Sequence, residues 1–166
     1  MKVKFILVTL CALIFQNQVL AQQKTNLQPI DLFDLEYISD PQISPDGSKV
    51  IYVRNFKDVM TDRDYSNLWM TNIDGSQNRP ITQGNQRDFS PVWSPDGSKV
   101  AYRSNQQDDK VKLFVLYLDT RVSVALTNSA NAPGSVSWSP DGQTLAFTSN
   151  VPAVKKSMLS IPAAPA

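Results

Sequence analysis

Apolar and polar positions alternate in short runs along most of this chain, and the runs return at a fixed interval. "SPVWS" (Ser90 to Ser94) and "SVSWS" (Ser135 to Ser139) lead into one turn sequence, and "KVIYV", "KVAYR" and "TLAFT" leave it. A period of two predicts half-buried β-strands. The runs "NLWMTNID" and "KLFVLYLD" predict third strands, and the shorter "NRPIT" and "SVALT" predict fourth strands. In Val50-Ile51-Tyr52-Val53 four apolar residues follow one another. That strand is expected to be covered on both faces, as when sheets stack face to face.

Ser94 and Ser139, Leu68 and Leu113, Asp74 and Asp119, and Thr82 and Thr127 each lie 45 residues apart, whereas Ser44 and Ser94 lie 50 apart. The five additional residues fall between Val53 and Leu68, so "RNFKDVMTDRDYSN" reads as a longer version of the connection "RSNQQDDKVK". A frame that tolerates insertion in one connection marks a repeat architecture. Four strands in each 45-residue unit match a β-propeller blade. The expected fold is all-β, a partial β-propeller of two complete four-stranded blades and part of a third, with a short N-terminal helix. That helix is predicted in "NLQPIDLFDLEY", where Pro29 stands near a helix start and Ile30, Phe33 and Tyr37 share one helical face.

The turn itself is written three times, as Ser44-Pro45-Asp46-Gly47, Ser94-Pro95-Asp96-Gly97 and Ser139-Pro140-Asp141-Gly142. Proline presets φ at the first central position, aspartate suits the second, and glycine takes a left-handed conformation. The expected product is a hairpin on a type I turn with a glycine bulge. The motif shapes blades and carries no chemistry.

Residues 1–21 read as a secretory signal peptide: Lys2 and Lys4, an apolar run from Phe5 to Phe15, and Val19-Leu20-Ala21 before Gln22. The apolar run is shorter than the about 20 residues of a membrane span, so no span is expected after cleavage. Cys11, the only cysteine, leaves with the signal, which excludes disulfides and cysteine metal sites from the mature chain. The expected location is secreted or periplasmic. Residues 22–38 form the N-terminal segment with the short helix, 39–150 the blades, and 151–166 a truncated strand or linker. Two blades and a half fall short of the about four to eight of a closed propeller. The chain therefore reads as the start of something longer, with an open propeller edge available for self-association.

The formal net charge of +1 is spread without a basic stripe, so no nucleic-acid partner is expected. The chain contains no histidine and no G-x-S-x-G sequence, so no Ser-His-Asp triad can be assembled from it. "DRDYSN" from Asp62 offers acids at calcium-loop spacing, but Asn67 and Ile73 stand where the loop needs Gly and Glu. The expectation there is a solvated long hairpin. Asp108 and Asp109 beside Lys110 resemble an acid pair, although they sit in a polar connection where charged tips belong. Trp69, Trp93 and Trp138 invite a stacking platform. Trp93 and Trp138 are equivalent to Ile43, however, which favours packing. Asp74 and Asp119 are expected to cap the turns after the third strands. No catalytic, cofactor-binding or metal-binding residue is assigned, and no cofactor is expected.

The segment "LFDLEYISDPQISPDGSKVIYV", followed by "NLWMTNIDGSQNRPIT" and the repeated "WSPDG", resembles the start of exported serine peptidases of the prolyl oligopeptidase family. The similarity is greatest to the acylaminoacyl-peptidase and dipeptidyl-peptidase-like branch, and the same pattern occurs in TolB-like propellers. The resemblance covers nearly all of the mature chain from about Leu27. It implies a propeller that limits access to a C-terminal α/β-hydrolase domain holding the catalytic Ser, Asp and His, with peptides as substrates. It also leaves open a non-catalytic TolB-like periplasmic module that binds proteins.

Overall fold

A computed structural model describes residues 26–128 and 131–150. The proposed signal peptide and the stretch 151–166 lie outside the described residues. The chain divides into two compact units, Met1–Leu32 and Phe33–Ala166.

Pro29–Phe33 forms a single 3-10 turn with no buried residue. Asp31 accepts the Gln28 amide on its carboxylate at 2.7 Å, and its own amide donates to the Gln28 carbonyl at 3.0 Å. The expected helical face of Ile30, Phe33 and Tyr37 does not form, because Tyr37 opens the first strand. Helices this short depend on tertiary burial to grow, and Ile30 and Leu32 are exposed.

Ten strands make up the described part of the second unit. The first blade contains β1 (Tyr37–Ile43), β2 (Lys49–Asp58), β3 (Arg63–Asn72) and β4 (Arg79–Pro80) in the order β1-β2-β3-β4. The second contains β5 (Asp88–Trp93), β6 (Lys99–Ser104), β7 (Lys112–Tyr117) and β8 (Val122–Ala125) in the same order. β9 (Pro133–Trp138) and β10 (Leu145–Ser149) pair as the third blade's first hairpin. Two full blades and part of a third are thus the observed architecture.

One expected connection is instead strand. β2 and β3 continue in register through Asn55↔Ser66, Phe56↔Tyr65, Lys57↔Asp64 and Asp58↔Arg63. The Phe56 and Tyr65 rings pack with centroids 5.9 Å apart, and Lys57 pairs with Asp64 beside them. Cross-strand pairs of this kind stabilise a ribbon that its one-dimensional pattern does not announce. Asp62, left-handed at φ 50°, lies at the tip of this long hairpin.

The seams between blades follow one rule. Each blade offers a forward face to its successor's back face. Ile51, Val53, Leu68 and Met70 of blade 1 pack against Trp93, Val100, Tyr102, Phe114 and Leu116 of blade 2. Ala101, Leu113 and Val115 of blade 2 pack in turn against Val136, Trp138 and Leu145 of blade 3. The consecutive apolar residues Ile51, Tyr52 and Val53 are all buried, as expected of a strand covered on both sides.

The tryptophans before the turns tie the seams. The Trp93 indole donates to the Gln42 carbonyl at 3.1 Å, and the Trp138 indole to the Val92 carbonyl at 3.2 Å. Both acceptors lie two residues before the turn serine of the preceding blade. The turns also stack. A β-carbon at Gly97 would sit 3.7 Å from Cδ of Pro45, and one at Gly142 would sit 3.5 Å from Cδ of Pro95.

Candidate functional site

The three SPDG turns gather at one end of the blades and are built alike. Gly97 donates to the Ser94 carbonyl at 2.9 Å, closing the turn, with Gly97 at φ 69°. The Ser94 carbonyl is thereby used, so the Lys99 amide turns to the Ser94 hydroxyl at 2.9 Å. The Ser94 hydroxyl also lies 2.6 Å from Asp96, which accepts the Ser98 amide and hydroxyl as well. Ser44 and Asp46 repeat this geometry, and Ser139 and Asp141 repeat most of it. The loop spans four residues between the paired serine and Lys49, Lys99 or Thr144.

Hydroxyl and amide donors hold these carboxyls below the ordinary carboxylate range: chiefly Ser44 at Asp46, Ser94 at Asp96 and Ser139 at Asp141. A carboxylate so stabilised stays ionised and is a poor proton donor near neutrality. Each carboxylate is engaged in closing its own turn.

Between turns one and two opens a groove of about 530 Å³ on the seam, with Met70, Trp93 and Leu118 among its lining and Lys49, Arg79 and Asp119 bringing charge. A related groove of about 350 Å³ lies on the second seam, with Lys99, Val115 and Trp138 at equivalent positions. The Lys99 ammonium stands 5.8 Å from the Trp138 ring centroid. The recurrence marks these grooves as products of blade stacking. Among the described residues no three His, Cys, Asp or Glu side chains converge to hold a metal.

The remaining candidates separate. Asp108 and Asp109 both adopt left-handed conformations in an exposed loop, and Asp108 accepts the buried Lys112 ammonium at 3.2 Å. They form a tethered loop. Asp74 accepts the amide and hydroxyl of Ser76, a turn cap, and these bonds lower its pKa. Asp119 accepts its neighbour's amide, at Thr120. Trp93 and Trp138 are seam residues. Trp69 lies on the back face of blade 1, with the Arg54 guanidinium 4.9 Å above its ring.

One residue with unusual chemistry escaped the sequence reading. Asp88 is completely buried where β5 begins. One of its carboxylate oxygens accepts the Gln86 side-chain amide at 3.1 Å, and the other has no hydrogen-bond partner. Burial pushes its pKa above the ordinary value, against the opposing effects of Ser104, Thr82, Gln86 and Asn67. Blade 1 contacts it through the Ser66 hydroxyl, which donates to the Asp88 carbonyl at 2.8 Å. The repeat frame places Ile38 and Pro133 at the same position in the other units. An acid where both equivalents are apolar was the available signal.

Comparison with known proteins gives these features a setting. A family model described as the TolB beta propeller domain matches residues 18–153. Dipeptidyl-peptidase 5 of Porphyromonas gingivalis is 33% identical over 81 residues, 49% of this chain and 12% of that protein. Peptidase YuxL of Bacillus subtilis is 31% identical over 86 residues, 52% of this chain and 13% of that protein. The uncomplexed acylaminoacyl peptidase of Pyrococcus horikoshii superposes with a TM-score of 0.61 at 21% identity, covering 81% of this chain and 20% of that one. The match therefore spans a small fraction of each relative's length. Among the described residues no helix is long and apolar enough to cross a membrane. Repeated blades, indole-tied seams and the match over most of the sequence lead to one conclusion: this chain belongs to the TolB β-propeller domain family.

Proposed function

We propose that this chain is the leading part of the propeller of an exported serine peptidase of the prolyl oligopeptidase family. In this reading the blades limit which peptides reach a hydrolase domain encoded beyond these residues. The observation that carries it is the 33% identity to Dipeptidyl-peptidase 5 over 81 residues. The sequence has no histidine, so acyl transfer through a Ser-His pair must draw on residues elsewhere. Export rests on the proposed signal at residues 1–21.

The test has two arms. The purified 166-residue chain should release no product from dipeptidyl or acylaminoacyl chromogenic substrates, and turnover would overturn the assignment. The coding sequence beyond Ala166 should contain G-x-S-x-G followed by Asp and His. A second reading, a non-catalytic TolB-like periplasmic module that binds proteins, is favoured by the family match itself. It requires further SPDG repeats running to a stop codon.

A further inference from the structure

A second groove on the first seam, of about 250 Å³, adjoins the larger one and shares Met70, Arg79 and Leu118 with it. Its floor is the seam core itself. Met70 of β3 and Leu116 of β7 are buried, and Ile81 and Leu118 pack against the core beside them. Its charge comes from Arg79 of β4 and from Arg121 in the β7–β8 turn, one from each blade, and its lining contains no carboxylate. Among the described residues neither guanidinium has an ion-pair partner; Arg79 donates to the Gln77 side-chain carbonyl at 3.3 Å. The acids of the adjoining groove are otherwise engaged: Asp46 and Asp96 by their turn serines, Asp119 by the Thr120 amide.

Blade stacking calls for neither arginine. Arg79 pairs with Met70, whereas the same pairing in blade 2 joins Val124 to Val115. The repeat frame places Ser76 of blade 1 at the position of Arg121. Arg121 also holds a left-handed conformation, φ 57°, with its amide donating to the Tyr117 carbonyl at 2.8 Å. Glycine or asparagine suits that backbone better. Two cations that line one small groove repel each other, and an anion bridging them relieves the repulsion.

We infer that this groove binds the C-terminal residue of a peptide, with the carboxylate on Arg79 and Arg121 and an apolar side chain on Met70, Ile81, Leu116 and Leu118. The planar fork of a guanidinium matches a carboxylate. The volume lies below the about 300 Å³ at which sites for drug-sized ligands begin, so it suits one residue and not a longer segment. A bare inorganic anion would satisfy the arginines and leave the apolar floor in water. The groove is bounded by two complete blades and uses no open blade face. This inference goes beyond the peptidase reading and holds under either assignment of the chain.

Titration of the 166-residue chain with N-acetyl-leucine, followed through the NMR signals of the protein amides, tests it. The Ile81 and Arg121 amides should shift saturably. Arg79→Val and Arg121→Ser install the residues that the other blade uses at the same positions, so circular dichroism should be unchanged. Each should weaken binding roughly tenfold or more, the effect of losing one hydrogen bond to a charged group. Arg63→Ser removes the same charge at the exposed hairpin tip and should bind as the unmodified chain does. N-acetyl-leucinamide, which lacks the carboxylate, and inorganic phosphate, which lacks the side chain, should each bind roughly tenfold more weakly or worse. The absence of a saturable shift at Ile81 and Arg121 would overturn the inference. So would an arginine variant of the groove that keeps full affinity, an Arg63→Ser variant that loses as much, or an amide or phosphate that binds as tightly as N-acetyl-leucine.

Discussion

Asp88 shows what a single residue does to this stack. Water solvates a carboxylate far better than a sealed seam can, and one Asp88 oxygen has no donor in return. Its folded pKa is raised by burial. The stability linked to it is therefore fully present below its unfolded value of 3.8 and is lost as pH rises through the folded value. Asp88→Asn should raise the melting temperature at neutral pH, with the gain shrinking as pH falls toward 3.8. Thermal unfolding at several pH values reads this directly, and a variant less stable at every pH would contradict it. The turn aspartates have the opposite sign. Serine hydroxyls lower the pKa of Asp46 and Asp96, so their contribution is present above 3.8 and is lost as pH falls through their folded values.

At the scale of elements, the extended β2–β3 hairpin is held by its own cross-strand pairs. Phe56→Ala removes the ring facing Tyr65 and should destabilise the ribbon by about 1 kcal/mol. Hydrogen exchange should show amides 54–67 losing protection while β6 and β7 keep theirs. Equal loss in both blades would mean that the hairpin anchors the stack. The strands of each blade were legible because alternation and a 45-residue frame express the same geometry. A long solvated hairpin was expected around Asp62, but its ordered strand pairing was not, because "RNFKDVMTDRDYSN" shows no period. Its order arises from Phe56 meeting Tyr65 and Lys57 meeting Asp64, pairings visible only once the register is known. The N-terminal helix was overextended for the converse reason, since the apparent face through Tyr37 is claimed by pairing with Asn55.

The described blades form a stack built by one rule: forward face to back face, indole to carbonyl, proline to glycine. Much of this lay in the sequence, since the SPDG turns and the tryptophans before them are written there. The seam grooves and the Asp88 environment were not legible, because each assembles side chains from two blades across long sequence separations. A modular stack also explains how a propeller can lack reactive groups while its relatives are peptidases. Under the proposed function, the blades supply shape, and the chemistry is assigned to residues beyond these.

That division of labour is tested most directly in the native host. The protein is captured with an antibody raised against residues 39–150 and treated with a fluorophosphonate that labels activated serines. The account predicts a labelled polypeptide several times heavier than 18.5 kDa, with every modified peptide mapping outside this sequence. An unlabelled species of 18.5 kDa or less, or a label on a serine within these residues, would contradict it.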